Sequence, residues 1–150
     1  MSKIAGLLES LDFSVLVPEL NTVLGWVRFL SILAVMIGPV IMLVLGLLYW
    51  FKPAEEANYK FGFRTYFGMG SVQAWRFTQK VAGMAYTVLG GILSIVMLII
   101  CLKFGGKELL QIVTSAVKCL LWEAGLIFAA WLGITLLVTV LFDERGRFRK

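Results

Sequence analysis

Three long stretches of the chain contain no charged residue, and they dominate its pattern of apolar and polar positions. They comprise residues 29–51, 81–102 and 124–142, which are 23, 22 and 19 residues long. A helix of about 20 residues crosses the roughly 30 Å hydrocarbon core of a membrane. Backbone groups in that core have no water to bind, so the spanning segments must be helical. The pattern predicts three transmembrane α-helices, at about 29–51, 81–102 and 119–142.

Apolar residues before the first stretch also recur with helical spacing. In segment 3–16 they stand at i, i+3, i+4 and i+7, and the same spacing resumes after Pro18. Because proline interrupts a helix, we expect an interfacial amphipathic helix over 3–16 and a second helix over 19–51 that continues into the first span. The alternative interpretation of 3–16 is a frayed terminus.

A shorter amphipathic segment precedes the third span. Apolar residues of 109–120 fall on one helical face, and polar residues such as Glu108 and Lys118 fall on the other. The pattern predicts a helix from about 107 that either lies at the membrane interface or runs on into the third span.

Small residues predict where the helices touch, because lipid gives apolar helices no hydrophobic reason to associate. The third span places Gly125, Ala129 and Gly133 at strict i+4 spacing, and the second contains several glycines. Packing within the chain is the favoured interpretation of these positions, and a homodimer contact is the alternative. A bend is expected at Gly38–Pro39 in the first span.

Composition and charge agree with a membrane protein. Hydrophobic residues make up 60% of the chain, charged residues 15%, and the mean hydropathy is +0.91, whereas soluble domains average about 25% charged residues. Lys and Arg are more numerous on the side of the loop 52–80 and the tail than on the other side, which predicts that the loop and the C-terminus are cytoplasmic. The net charge of +5 is attributed to topology and attraction to anionic lipid, not to nucleic-acid binding.

The residues that enzymes most often use are scarce. The chain has no histidine, the commonest general base and metal ligand, and Cys101 and Cys119 have no metal-ligand companions. We expect no enzymatic activity and no cofactor, and we expect the two thiols to be free rather than bridged. Glu123, an acid near the membrane, is predicted to be partly solvated beside Lys118 or Lys103.

The loop between the first two spans is the most distinctive part of the sequence. It interleaves aromatic and basic residues, as segments at the level of lipid headgroups do. Ser71 is predicted to cap a helix that runs into the second span, on which Trp75, Gln79 and Ala82 share one face. A generic aromatic belt is the alternative interpretation.

Ten residues of this loop have a spacing that characterises one family. They are Pro53, Asn58, Gly62, Phe63, Arg64, Thr65, Met69, Trp75, Gln79 and Lys80. On them, segment 53–83 resembles the SdpI/YhfL family of bacterial membrane proteins. The chain departs from the family pattern at Gly68, where serine is usual, and at Thr78, where alanine is usual.

The resemblance implies a multi-pass protein of the bacterial cell membrane that protects the cell from a membrane-active peptide toxin and can hold a transcriptional repressor at the membrane. It divides the chain into an N-terminal extension, residues 1–28, and a three-span domain, residues 29–150. Other functions stay open at this point, namely a small accessory subunit of a larger membrane complex and a small transporter. Homo-oligomers are compatible with each of these functions.

Two acids at the end of the third span require a partner, because the helix dipole disfavours negative charge there. Asp143 and Glu144 are expected on the same membrane side as loop 52–80. We predict that Arg64 or Arg76 reaches one of them, with Trp75 packed beneath. Binding of these arginines to lipid phosphate or to a partner protein is the competing interpretation.

Overall fold

A computed structural model describes residues 13–16, 21–55, 57 and 60–149 of the chain. The long elements in this part are three α-helices: α1, Val23–Phe51; α2, Val72–Leu102; and α3, Leu109–Leu141. Two short 3-10 turns lie at Phe13–Leu16 and Phe67–Met69.

All three helices are long and apolar enough to cross a membrane, as the charge-free stretches predicted. Each begins before its charge-free stretch, because the amphipathic turns that precede the stretch belong to the same helix. At the start of α3, the backbone carbonyl of Glu108 accepts a hydrogen bond from the backbone N–H of Ile112, and the helix then continues without a break. The amphipathic segment from about 107 therefore runs on into the third span. Likewise, α1 continues through Pro39.

The predicted N-terminal helix falls mostly outside the described residues. Of segment 3–16, the structure describes only Phe13–Leu16, which forms a 3-10 turn. The second predicted helix, over 19–51, is confirmed from Val23 onward.

The chain divides into two compact units. One comprises Met1–Pro39 with Ile92–Glu123, and the other comprises Val40–Gly91 with Ala124–Lys150.

Within the second unit, α1 and α2 approach each other closely through glycines. A Cβ atom built on Gly90 would lie 2.5 Å from the backbone nitrogen of Leu43, and one on Gly83 would lie 2.6 Å from that of Trp50. Real Cβ atoms do not come so close, so only glycine allows the two backbones to pass at this distance. The prediction that small residues of the second span mark a helix contact is correct for these two.

The stripe in the third span is a correction. Gly125, Ala129 and Gly133 are exposed, and a Cβ built on either glycine would have no described atom within 4 Å. These residues therefore do not mediate packing among the residues that the structure describes. The favoured interpretation, packing within the chain, is therefore wrong for these three residues, and the alternative of a homodimer contact stays a prediction.

The chain turns back sharply after α3. Asp143 accepts a hydrogen bond through its carbonyl from the N–H of Gly146, whose φ is +66°, and Phe142 and Phe148 pair in an antiparallel bridge. Aspartate at the first position and glycine at the fourth are typical of a β-turn. The tail is therefore a short hairpin.

Candidate functional site

The motif residues converge on the first turns of α2. Ser71 caps this helix, since its Oγ accepts a hydrogen bond of 3.0 Å from the N–H of Ala74. Trp75, Gln79 and Ala82, which the sequence placed on one helix face, are fully buried. Polar atoms buried at these positions must find partners inside the protein, and the loop that precedes α2 provides them.

Gln79 makes two hydrogen bonds with the backbone of one loop residue, Phe63. The N–H of Phe63 donates to Oε1 of Gln79 at 2.9 Å, and Nε2 of Gln79 donates to the carbonyl oxygen of Phe63 at 2.7 Å. A carboxylate could only accept and a lysine could only donate, so the pairing requires a side-chain amide. The side chain of Gln79 thus satisfies both backbone groups of Phe63 and attaches the loop to α2.

Trp75 holds a second point of the loop. Its indole N–H donates to the carbonyl oxygen of Ala54 at 2.8 Å. Gly62 lies over the indole with a φ of +123°, and a Cβ built there would lie 2.7 Å from the ring and 3.0 Å from Oε1 of Gln79. A glycine is therefore required at position 62 both by the backbone conformation and by the lack of space.

Gly68 is packed closely between the side chains of Thr65 and Thr78. The hydroxyl of Thr65 accepts a hydrogen bond of 3.0 Å from the N–H of Gly68, and the hydroxyl of Thr78 donates to the carbonyl of Ala74. A Cβ built on Gly68 would lie 2.5 Å from the Thr65 hydroxyl and 2.6 Å from the Thr78 hydroxyl. The two positions at which the chain departs from the SdpI/YhfL pattern are thus in direct contact.

Aromatic rings continue the contact between the loop and the helices. Phe61 packs on Tyr49 of α1 with ring centroids 5.4 Å apart, and Phe63 meets Tyr86 of α2 edge to face at 5.6 Å. Such arrangements are favourable for aromatic pairs. Tyr49, Phe63 and Tyr86 are buried, so their rings belong to a folded core, which a generic aromatic belt would not produce.

The C-terminal tail packs against the same segment. Ser71 donates a hydrogen bond of 2.7 Å to the carbonyl oxygen of Gly146, the guanidinium of Arg149 lies 5.7 Å from the ring centre of Phe67, and Phe77 contacts Phe148. The loop, the start of α2 and the tail therefore form one layer, which we call the motif platform, residues 53–55, 57, 60–80 and 142–149.

The acid of the tail has a different partner from the one that the sequence predicted. Arg147, rather than Arg64 or Arg76, pairs with Asp143, at 3.3 Å. The backbone N–H groups of Arg147 and Arg145 also donate to Asp143, and they hold the pKa of this exposed carboxyl below its usual range. Because the chain reverses direction directly after Asp143, the donors that lie next to its carboxylate are those of Arg145 and Arg147 in the tail, not those of a loop arginine. Glu144 is exposed.

The remaining motif residues lie at the surface or outside the described part. Arg64, Arg76, Lys80 and Pro53 are exposed, Met69 is half-buried, and Asn58 is outside the described residues. Sequence reasoning missed Gly146 and the hairpin that it permits, although the spacing of Asp143 and Gly146 was a usable signal.

Glu123 corrects a further prediction. Its side chain is 3% exposed, Oε1 has no hydrogen-bond partner, and Oε2 would lie 3.1 Å from a Cβ built on Gly38. Neither Lys118 nor Lys103 is within ion-pair distance of it in the described part of the chain. Glu123 stands five residues after Lys118, a spacing that places the two side chains on different faces of the helix. Lys118 is accordingly exposed while Glu123 is buried. Cys101 and Cys119, in the same unit, are buried free thiols.

Comparison with protein-family models finds no match to this sequence. Comparison with curated proteins and with solved structures likewise finds none. The described part of the chain has three helices able to span a membrane and a folded motif platform.

Proposed function

We propose that this chain is a multi-pass protein of the bacterial cell membrane that protects its cell from a membrane-active peptide toxin, as SdpI-type immunity proteins do. The supporting observation is that motif residues far apart in sequence meet in one cluster. Gly62 lies against Trp75 and Gln79, and Gln79 binds Phe63. The motif spacing thus has a physical cause, which an accidental match in an aromatic belt would lack.

The motif separates into buried residues that shape the platform and exposed residues that lie at its surface. Trp75, Gln79 and Thr65 are buried, whereas Arg64 and Lys80 are exposed. Exposed basic and aromatic residues at a membrane interface suit a peptide that acts on the bilayer surface. In this proposal the platform contacts the toxin or the lipid around it, and its cytoplasmic placement would also allow it to hold a repressor.

A second candidate function has a specific observation in its favour. The helix face with Gly125, Ala129 and Gly133 is exposed, and small residues at this spacing are typical of close helix pairs in membranes. An accessory subunit of a larger membrane complex would use such a face. Co-purification in mild detergent separates this function from immunity, because a subunit carries stoichiometric partners in cells that never meet a toxin.

The direct test is survival of toxin-sensitive bacteria that express the full chain. Cells are challenged with the peptide toxin of the sporulation-delaying system, and membrane insertion is measured in the same cultures. We expect protection by the native chain, loss of protection with Trp75→Ala, and retention with Trp122→Ala, which removes an exposed tryptophan from α3. Death of cells that hold normal amounts of inserted native protein would contradict the proposal.

A further inference from the structure

A basic cleft lies where α1 ends and α2 begins, within the second unit. Its volume is about 590 Å³, and residues 49–55 line it together with two side chains of α2. Three of the lining residues are cations, Lys52, Arg76 and Lys80, and one is an acid, Glu55. The formal charge of the lining is therefore positive.

The cleft has fixed walls. The hydrogen bond from Trp75 to the carbonyl of Ala54 holds the segment after α1. The close approach of Gly83 to the backbone of Trp50 holds the end of α1 against α2. Because both walls are held by buried contacts, the cleft exists before any ligand arrives, which lowers the entropy cost of binding.

The three cations are not paired with any acid in the part of the chain that the structure describes. In the described part of the chain, the side chains of Lys52, Arg76 and Lys80 make no hydrogen bond or ion pair, and none pairs with Glu55. Arg76 and Lys80 are four residues apart, so they project from the same helix face.

An apolar groove adjoins the cleft on the membrane side. Val44, Leu47 and Leu48 line this groove of about 320 Å³, and it shares Phe51 and Lys52 with the cleft. At a rise of about 1.5 Å per residue, Val44 and Leu48 lie roughly 12 and 6 Å deeper along α1 than Lys52. A ligand that fills both spaces has an anionic head and an apolar chain directed into the bilayer.

We propose that this cleft is a binding site for one anionic phospholipid. Its phosphate binds Lys52, Arg76 and Lys80, and an acyl chain lies in the groove of Val44, Leu47 and Leu48. A phosphate presents several acceptor oxygens to these donors, and the stacked rings of Trp50 and Phe51, 5.6 Å apart, stand at the headgroup level that aromatic residues favour. This site does not depend on the proposed immunity function.

The test is lipid retention by the full chain in detergent, measured by native mass spectrometry after equilibration with mixed phosphatidylglycerol and phosphatidylcholine. We expect one phosphatidylglycerol to be retained in preference to phosphatidylcholine. A basic residue at a membrane surface contributes roughly fivefold to anionic-lipid affinity, so Lys52→Gln/Arg76→Gln/Lys80→Gln should weaken retention roughly 100-fold. The matched control Lys103→Gln/Lys107→Gln/Lys118→Gln removes the same charge outside the cleft and should retain the lipid.

A second variant distinguishes a lipid from a free phosphate. Val44→Trp fills the apolar groove and leaves every cation in place, so it should weaken phosphatidylglycerol retention while glycerol 3-phosphate binding is unchanged. Circular dichroism and gel filtration confirm that each variant is folded. Equal losses in the two triple variants would show nonspecific charge attraction and overturn the site. Undiminished lipid retention by Val44→Trp, with glycerol 3-phosphate displacing the lipid fully, would assign the cleft to free phosphate and overturn the lipid proposal.

Discussion

At the scale of single residues, the motif is a set of side chains that bind a loop to a helix. The sequence predicted that Trp75 and Gln79 share one helix face, because helical spacing alone determines that. It could not predict that Gln79 binds Phe63, since the partner is 16 residues away in a loop with no periodicity. Close approaches such as that of Gly68 to Thr78 also become visible only in three dimensions.

The contact between Gly68 and Thr78 predicts a compensating pair of substitutions. Gly68→Ser alone should lower the unfolding free energy by about 1–3 kcal/mol, because the new side chain overlaps the hydroxyls of Thr65 and Thr78. Adding Thr78→Ala should restore the part of the loss that the Thr78 hydroxyl causes. Reversible unfolding in mixed detergent micelles measures both variants, and strictly additive effects would show that the two positions do not interact.

The buried position of Glu123 predicts that removing its charge will not lower the unfolding free energy. A buried carboxyl with an unbound oxygen is costly inside a membrane protein, so Glu123→Gln should leave the unfolding free energy unchanged or raise it. Glu108→Gln, at an exposed position, serves as the control. A large destabilisation by Glu123→Gln alone would mean that the carboxylate binds a cation or another partner.

At the scale of the elements, charge-free length predicted the helices and their C-terminal ends correctly. The N-terminal ends lie earlier, because amphipathic turns at an interface extend a helix without being apolar all round. The glycine spacing predicted the contact of α1 and α2 but failed for α3, since a small-residue face looks the same whether a neighbour covers it or not. The hairpin after α3 depends on the conformation of Gly146 and on hydrogen bonds from backbone N–H groups. Neither feature can be predicted from the pattern of apolar residues.

Two adjacent glycines of α2 provide a matched test of helix packing. Gly90→Ala should destabilise the protein by about 1–3 kcal/mol, because the added methyl group would overlap the backbone at Leu43. Gly91→Ala meets no atom within 4 Å and should be neutral or stabilising, since alanine is the better helix former. If both substitutions have the same effect in SDS unfolding, the close approach is wrong.

The tail hairpin is expected to weaken in acid. The backbone N–H of Arg147, followed by that of Arg145, holds the folded-state pKa of Asp143 below its unfolded value. This carboxylate therefore supports the hairpin fully above the unfolded pKa and loses its effect as pH falls through the folded pKa. Amide chemical shifts of Arg145 and Arg147 should follow that transition in the native chain and in Glu144→Gln. The same transition in Asp143→Asn would exclude Asp143 as its cause.

At the scale of the whole molecule, composition and charge placement were sufficient to predict a protein with three membrane-spanning helices. Function was not predictable in the same way, because lipid-facing sequence suits many membrane proteins and only segment 53–80 is distinctive. One property of that segment is central: the motif residues fold the loop onto α2, and exposed cations beside them, Arg76 and Lys80, form the surface proposed to bind a ligand.

Hydrogen–deuterium exchange at the backbone amide of Phe63, in a lipid nanodisc, tests that claim most directly. The account predicts strong protection in the native chain and in Gln73→Leu, which alters an exposed glutamine of the same helix. In Gln79→Leu, exchange should accelerate roughly 5- to 150-fold, because the amide loses its acceptor, and the loss of such a buried hydrogen bond costs about 1–3 kcal/mol. An amide of Phe63 that exchanges as fast as an unstructured peptide in the native chain would contradict the account.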